Sequence, residues 1–110
     1  MKQALQIVFK GMEPSDAIEE AVRRRVEHLE RFAGDLVACR VVVEQHHLHR
    51  QQGRPFGVGI ELTTPGHDLV VDRVEHEEFQ VALREAFDNM KRRLEEVVRE
   101  RRGDEKQHPR

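Results

Sequence analysis

The side chains that could carry chemistry in this sequence are mainly histidines and arginines. Three histidines cluster at His46, His47 and His49, and His67 and His76 follow. Neutral imidazole is a common ligand of zinc and nickel, but a zinc site needs three or four ligands in a fixed arrangement. The clustered histidines lie in a polar stretch that offers little preorganisation, so we expect no native metal site. Their side chains could instead hydrogen-bond to phosphate or base edges, or face water.

Catalysis requires a nucleophile or general base with a partner within hydrogen-bond reach and a group that stabilises developing charge. The sequence has no serine elbow, glycine-rich phosphate loop or carboxylate pair that stands out. Gly57 and Gly59 alternate within a strand pattern that no helix follows directly, so we expect them to permit close backbone approach or a bulge. The sequence therefore indicates a binding protein with no catalytic residue, cofactor or small-molecule substrate.

Basic residues concentrate in two segments of helical periodicity. In the first segment they lie away from the apolar stripe, at Arg24, Arg25, His28 and Arg31. In the second they become denser towards the C-terminal end, at Arg84, Lys91, Arg92, Arg93, Arg99, Arg101 and Arg102. Two basic helix edges could flank a groove that follows an RNA backbone. The alternative is a solvated face, whose cations complement the helix dipole and pair with nearby glutamates.

The net charge does not decide between these alternatives. Charged residues make up 36% of the chain yet sum to a formal charge of −2, so only their distribution can indicate a nucleic-acid partner. The single cysteine, Cys39, lies in an apolar run, where a buried thiol is expected. The sequence has no signal-like start and no run near the roughly 18 apolar residues of a membrane span, so we expect a cytoplasmic protein without a membrane partner.

Two amphipathic helices carry these basic residues. Pro14 and Ser15 are typical of a helix start, and we expect the first helix from about Ser15 to Ala33, with Gly34 after it. Its apolar stripe is Ile18, Ala21, Val22, Val26, Leu29 and Phe32. A second periodic pattern predicts a long helix from Glu77 to near Arg102. The residues expected to be buried between helices and sheet are Phe9, Val22, Leu29, Leu83, Phe87 and Met90.

Four segments have the alternation or the β-branched content of strands. They are Leu5 to Lys10, Val37 to Glu44, Phe56 to Thr64, and a segment that follows the turn at Pro65 and ends at Arg73. The order β-α-β-β-β-α predicts an α+β fold, with a four-stranded mixed sheet and both helices packed on one face. We expect one domain at residues 1–103 and a flexible C-terminal tail at residues 104–110.

The sequence resembles the ribosome hibernation promoting factor family, of the ribosome-associated translation inhibitor or sigma-54 modulation protein type. The resemblance rests on the element order and on the segments Leu5 to Gly11, Ala17 to Phe32 and Ala82 to Asp88, and it extends to about Arg102. The chain is also similar to a subgroup with a His-rich loop between the second and third strands. Some members of that subgroup carry a cold-shock domain after a segment like Arg101 to Asp104, and we expect this chain to be of the short type.

The resemblance implies a bacterial protein that occupies the transfer RNA and messenger RNA channel of the small ribosomal subunit. It implies contact with 16S rRNA and repression of translation under stress or in stationary phase, either by silencing single ribosomes or by pairing them. The positions at which the family usually has Lys or Arg are Arg25, His28, Arg31 and Arg92 in this chain. Other usually basic positions hold Asn89, Glu95, Glu96 and Val98, for which Lys91, Arg93, Arg99, Arg101 and Arg102 could compensate.

We therefore expect a non-enzymatic RNA-binding protein. Its expected RNA contacts are Arg24, Arg25, His28, Arg31, Lys91, Arg92, Arg93 and Arg99. The alternative is a protein-interaction module that has kept the fold and lost tight rRNA binding, which the near-neutral charge and the acidic residues of the second helix favour. An enzyme or a metal-dependent sensor is the third possibility.

Overall fold

The computed structural model describes residues 4–45 and 55–107, with the side chains of residues 104–107 left out. The elements are β1 Leu5–Lys10, α1 Asp16–Phe32, β2 Ala38–Gln45, β3 Phe56–Thr64, β4 His67–His76 and α2 Phe79–Gln107. The predicted order β-α-β-β-β-α is confirmed. The clustered histidines at positions 46, 47 and 49 lie outside the described residues, so the expectation that they bind no metal stays a prediction.

The four strands form one mixed sheet in the order β1-β2-β3-β4. β1 pairs with β2 in parallel, because α1 carries the chain back across the sheet between them. The pairs β2–β3 and β3–β4 are antiparallel. The predicted four-stranded α+β fold is therefore confirmed, although β4 continues to His76, beyond the expected end at Arg73.

One face of the sheet and both helices share a single hydrophobic core. Alternate residues of β2 and β3 point into it, and the two helices each contribute one buried stripe. Of the predicted core, five residues are buried: Val22, Leu29, Leu83, Phe87 and Met90. Phe9 is only half-buried because β1 lies at the edge of the sheet. Cys39 is buried as expected, with 2% of its surface exposed.

The second helix is longer than the sequence pattern indicated. α2 continues through Gly103 to Gln107, so the expected end near Arg102 is wrong. A glycine inside a helix costs only about 1 kcal/mol relative to alanine, and none of the next four residues is a strong helix breaker. Of the expected tail, residues 104–107 belong to α2 and residues 108–110 lie outside the described residues. No helix of the described residues is both long enough and apolar enough to cross a membrane.

The other face of the sheet carries charges that are paired with one another. Arg73 donates a hydrogen bond to Glu44 across 2.9 Å and lies 3.0 Å from Glu75. The hydrogen bond from Arg73 to Glu44 and the negative charges of both carboxylates raise the pKa of the arginine. The Arg73 side chain passes over Gly57, where a Cβ would lie 2.5 Å from its Cδ. The ladder shifts register at Gly59, between Val58 and Ile60, which agrees with the predicted bulge, whereas the group that comes close to Gly57 is a side chain and not the backbone.

Candidate nucleic-acid interface

A groove of about 300 Å³ lies between the two helices. Leu29 of α1 and Phe87 of α2 form its floor, and both are buried. The remaining lining residues are charged or titratable: Arg25, His28, Asp88 and Lys91. The two fixed cations, Arg25 and Lys91, outnumber the one carboxylate, Asp88, so the groove is complementary to an anionic ligand that also has an apolar part. We call these six residues the inter-helix groove.

The register of α1 places Arg25 and His28 at the groove. The helix begins at Ser15, whose Oγ accepts a hydrogen bond from the backbone N–H of Ile18 across 3.2 Å. Val22 and Val26 are buried against the sheet. Arg25 and His28 are three residues apart, so they lie together on the flank of this buried stripe, and His28 is exposed there.

The register of α2 places Lys91 opposite them. The backbone N–H of Glu78 donates a hydrogen bond to Nδ1 of His76 across 2.9 Å, just before the helix begins at Phe79. Met90 and Leu94 are fully buried, which turns Lys91 to the flank of the stripe. Asp88, one turn earlier, is the one acidic member of the inter-helix groove.

Lys91 also contacts an aromatic ring at the end of α1. Its Nζ lies over the ring of Phe32, 5.4 Å from the ring centroid, which is a cation–π contact. Phe32 is 40% exposed. The helical spacing predicts that this residue belongs to the apolar stripe, and that prediction is wrong. Phe32 is the last residue of α1, and it lies at the flank of the stripe.

The cations of α1 differ in whether a carboxylate offsets them. Arg24 donates a hydrogen bond to Glu20 across 3.2 Å, and both side chains are exposed. Within residues 4–45 and 55–103, Arg25, His28 and Arg31 form no ion pair. The positive charges of Arg25 and Arg31 are therefore available to an anion at the surface, and the imidazole of His28 can hydrogen-bond to it. An exposed pair such as Arg24–Glu20 contributes little to stability and is screened by salt, so Arg24 can exchange its partner for a phosphate.

The cations of α2 lie on different sides of the helix. Arg92 follows Lys91 and donates a hydrogen bond to Oδ1 of Asn89, and Arg99 lies beside Glu96 and Glu100. Arg93 is two residues from Lys91, which is about 200° around the helix. The structure therefore brings Lys91 to the inter-helix groove, leaves Arg92 and Arg99 exposed outside its lining, and turns Arg93 away.

Arg101 makes contacts that the sequence pattern does not indicate. It donates hydrogen bonds to Oδ2 of Asp35, to Oγ1 of Thr64 across 3.1 Å and to the carbonyl oxygen of Pro65 across 2.8 Å. Thr64 is buried, with 1% of its surface exposed. From the sequence, Arg101 is expected to be a compensating cation of the basic patch. The structure shows instead that this guanidinium ties α2 to the loop after α1 and to the β3–β4 turn.

The two histidines of β4 do not lie near one another. His67 and His76 are the two ends of this strand, which at about 3.3 Å per residue places them roughly 30 Å apart. His67 lies 3.8 Å from a carboxylate oxygen of Glu100, and His76 receives the hydrogen bond from Glu78. They cannot share a metal ion, and no cluster of three potential ligands exists among the described residues.

The family of the chain follows from comparison of its sequence. Residues 5–102 match the model of the sigma 54 modulation protein / S30EA ribosomal protein family. The chain belongs to this family. The resemblance to the hibernation promoting factor family is thereby confirmed over nearly the range expected from sequence. No curated protein matches the S30EA-family chain.

Two solved structures share the fold of this S30EA-family chain. A ribosomal subunit interface protein from Coxiella burnetii superposes with a TM-score of 0.72 at 10% identity, covering 87% of this chain and 98% of that one. The N-terminal domain of Protein Y from Thermus thermophilus gives a TM-score of 0.67 at 18% identity, covering 86% of this chain and 99% of that one. At these identities the likeness shows a shared fold.

Proposed function

We propose that this chain binds the small ribosomal subunit through the inter-helix groove and represses translation by occupying the transfer RNA and messenger RNA channel. The observation that carries the proposal is the convergence of Arg25, His28 and Lys91, from two helices, on one groove. Membership of a family described as S30EA ribosomal protein, and a relative of the same fold described as a ribosomal subunit interface protein, support a ribosomal partner.

Phosphate contacts account for such a mode of binding. Arginine and lysine at the surface neutralise RNA phosphates and release condensed counterions, and this supplies most of the affinity that does not depend on sequence. Arg31, Arg92 and Arg99 lie outside the groove lining and extend the basic surface along both helices. No covalent step is needed, because occupation of the channel is itself the inhibition. In keeping with the family resemblance, we propose a cytoplasmic, non-enzymatic inhibitor that acts under stress.

A sedimentation experiment tests the subunit and the channel together. The protein is mixed with purified small or large subunits at low and high salt, and the bound fraction is measured in the pellet. We expect the protein to bind the small subunit, to bind it more weakly at high salt, and not to bind when transfer RNA and messenger RNA already occupy the subunit. Equal binding to both subunits, or binding that transfer RNA leaves unchanged, would contradict the proposed site.

A protein-interaction module is the second candidate, and the acidic residues of α2 favour it. Asp88 lines the groove, while Glu95 and Glu96 replace basic residues that the family resemblance leads one to expect. This candidate predicts that no subunit is bound even at low salt, so the same sedimentation experiment separates the two.

A further inference from the structure

Phe32 is the exposed aromatic ring of this protein. All five phenylalanines are described: Phe87 is buried, Phe9, Phe56 and Phe79 are half-buried, and Phe32 is 40% exposed. Phe56 and Phe79 contact each other edge to face, with centroids 5.7 Å apart. Phe32 has no aromatic partner in the described residues and is covered in part by the Lys91 ammonium.

We propose that Phe32 is a stacking platform for one unpaired RNA base at the end of the inter-helix groove. The inference rests on the proposed function and names the form of RNA that the site takes, which is single-stranded. Lys91 connects the two features, because it lines the groove and also contacts the ring. A base on Phe32 would therefore have its own or a neighbouring phosphate within reach of Lys91.

The charges around the ring favour a nucleotide over an apolar protein segment. Arg31 precedes Phe32 in the chain, His28 lies one helical turn before it, and Lys91 lies over it. A purely apolar partner would have to desolvate the cations Arg31 and Lys91 without a counter-charge. A nucleotide combines a π face for the ring with a phosphate for the cations, which is the combination that single-strand binding proteins use.

Lys91 has to give up part of its contact with the ring when a base binds. At an exposed site a cation–π contact is weaker than the stacking of a base on an aromatic ring. The lysine side chain is long and flexible, and its ammonium can move from the ring to a phosphate. In the unbound protein Lys91 partly covers an apolar ring that would otherwise face water.

A single tryptophan gives a direct readout of stacking, because the chain has no Trp and no Tyr. In the variant Phe32→Trp, the indole is the only strong fluorophore and would be quenched by a base stacked on it. The matched control is Val70→Trp, since Val70 is 47% exposed and lies on the other face of the sheet, beside Glu61. Each variant is titrated with purified small subunits, with a short oligoadenylate and with a fully paired RNA duplex of the same length.

We expect the Phe32→Trp fluorescence to be quenched by small subunits and by oligoadenylate, with little change on the duplex and none in the control. Phe32→Leu, which keeps an apolar side chain but no π face, should weaken small-subunit affinity by about 5- to 100-fold. Full affinity of Phe32→Leu together with unquenched Phe32→Trp would overturn the stacking site while leaving ribosome binding intact.

Two further results would also overturn the inference. Failure of the wild-type protein to bind small subunits would remove the proposed function, and the stacking site with it. Quenching by ribosomal proteins freed of RNA, with none by oligoadenylate, would assign Phe32 to a protein contact. Circular dichroism of each variant checks that the helices are retained.

Discussion

Arg25 and Arg101 are both arginines, but they have different roles because their guanidinium groups have different neighbours. Arg25 lines the inter-helix groove and has no carboxylate partner among the described residues. Arg101 uses both of its terminal nitrogens on Asp35, Thr64 and Pro65. A guanidinium whose donors are already used within the protein has fewer of them for a phosphate. Arg101 therefore acts as a structural tie, and Arg25 remains a candidate for RNA contact.

Replacing Arg101 by alanine should lower the free energy of unfolding by about 1 to 3 kcal/mol, because the buried Thr64 hydroxyl loses its partner. Urea unfolding measures this. The control is Arg99→Ala, which removes an exposed cation of the same helix and should change stability by less than about 0.5 kcal/mol. Ribosome binding should show the opposite pattern: Arg99→Ala should lower the salt dependence of binding, and Arg101→Ala should leave it unchanged. Unaltered stability of Arg101→Ala would show that the tie contributes nothing.

Cys39 illustrates how burial sets reactivity. Burial and, secondarily, the negative charge of Glu30 raise the pKa of the thiol from 9.0 to about 12. At least one pH unit below the unfolded pKa of 9.0, the folded protein should hold on the order of a thousandfold less thiolate than the unfolded chain, and alkylation by iodoacetamide should be correspondingly slow. Comparing the alkylation rate with and without urea checks this. Rapid alkylation of the folded protein would contradict the buried position.

The same shift of the Cys39 pKa has a defined effect on stability. The folded state favours the neutral thiol, so its contribution is fully present below pH 9.0 and is lost as the pH rises towards about 12. The pH dependence of the free energy of unfolding tests this effect, and the control is a variant without the thiol. Cys39→Ala is more suitable for it than Cys39→Ser, because a buried hydroxyl would need a new hydrogen bond.

At the level of whole elements, local sequence signals predict most of the fold, but they do not predict the long-range contacts. The Ser15 cap, the apolar stripes and the alternation in the strands depend on residues a few positions apart, and these predictions hold except for the placement of Phe32 in the stripe of α1. The partners of Arg101 are 37 residues away at Thr64 and 66 residues away at Asp35. No periodic pattern links positions so distant. The exposure of Phe32 does not follow from the local pattern for a related reason, since it depends on which residues of α2 lie beside the end of α1, and Lys91 lies over the ring there.

Phe87 connects the core of α2 with the floor of the groove. Replacing it by alanine should cost roughly 3 to 5 kcal/mol, which is a large share of the stability of a domain of this size. Thermal and urea unfolding measure the loss. Phe87→Leu, which keeps most of the buried volume, should cost markedly less. Equal stability of Phe87→Ala and the wild type would mean that the register assigned to α2 is wrong.

Across the whole molecule, the distribution of charge matters more than its sum of −2. On the outer face of the sheet, cations are paired with carboxylates, as in Arg40–Glu61 at 3.6 Å and Arg73–Glu44 at 2.9 Å. At the inter-helix groove, Arg25 and Lys91 face a single carboxylate, Asp88. The sequence predicted which helices carry the cations. It could not show which cations are paired across strands, because that depends on the register of the sheet.

The salt dependence of binding tests this segregation of charge. The triple variant Arg25→Ala, Arg31→Ala, Arg92→Ala removes cations of the helix surface, and the slope of log affinity against log salt should fall by about 0.7 to 0.9 per lost phosphate contact. The control variant Arg23→Ala, Arg40→Ala, Arg93→Ala removes the same net charge from positions that face away from the groove. Since both variants change the net charge equally, a general effect of charge would lower both slopes alike. If the slope falls in the first variant and not in the control variant, the RNA lies at the helices. Equal slopes in the two variants would contradict the proposed interface.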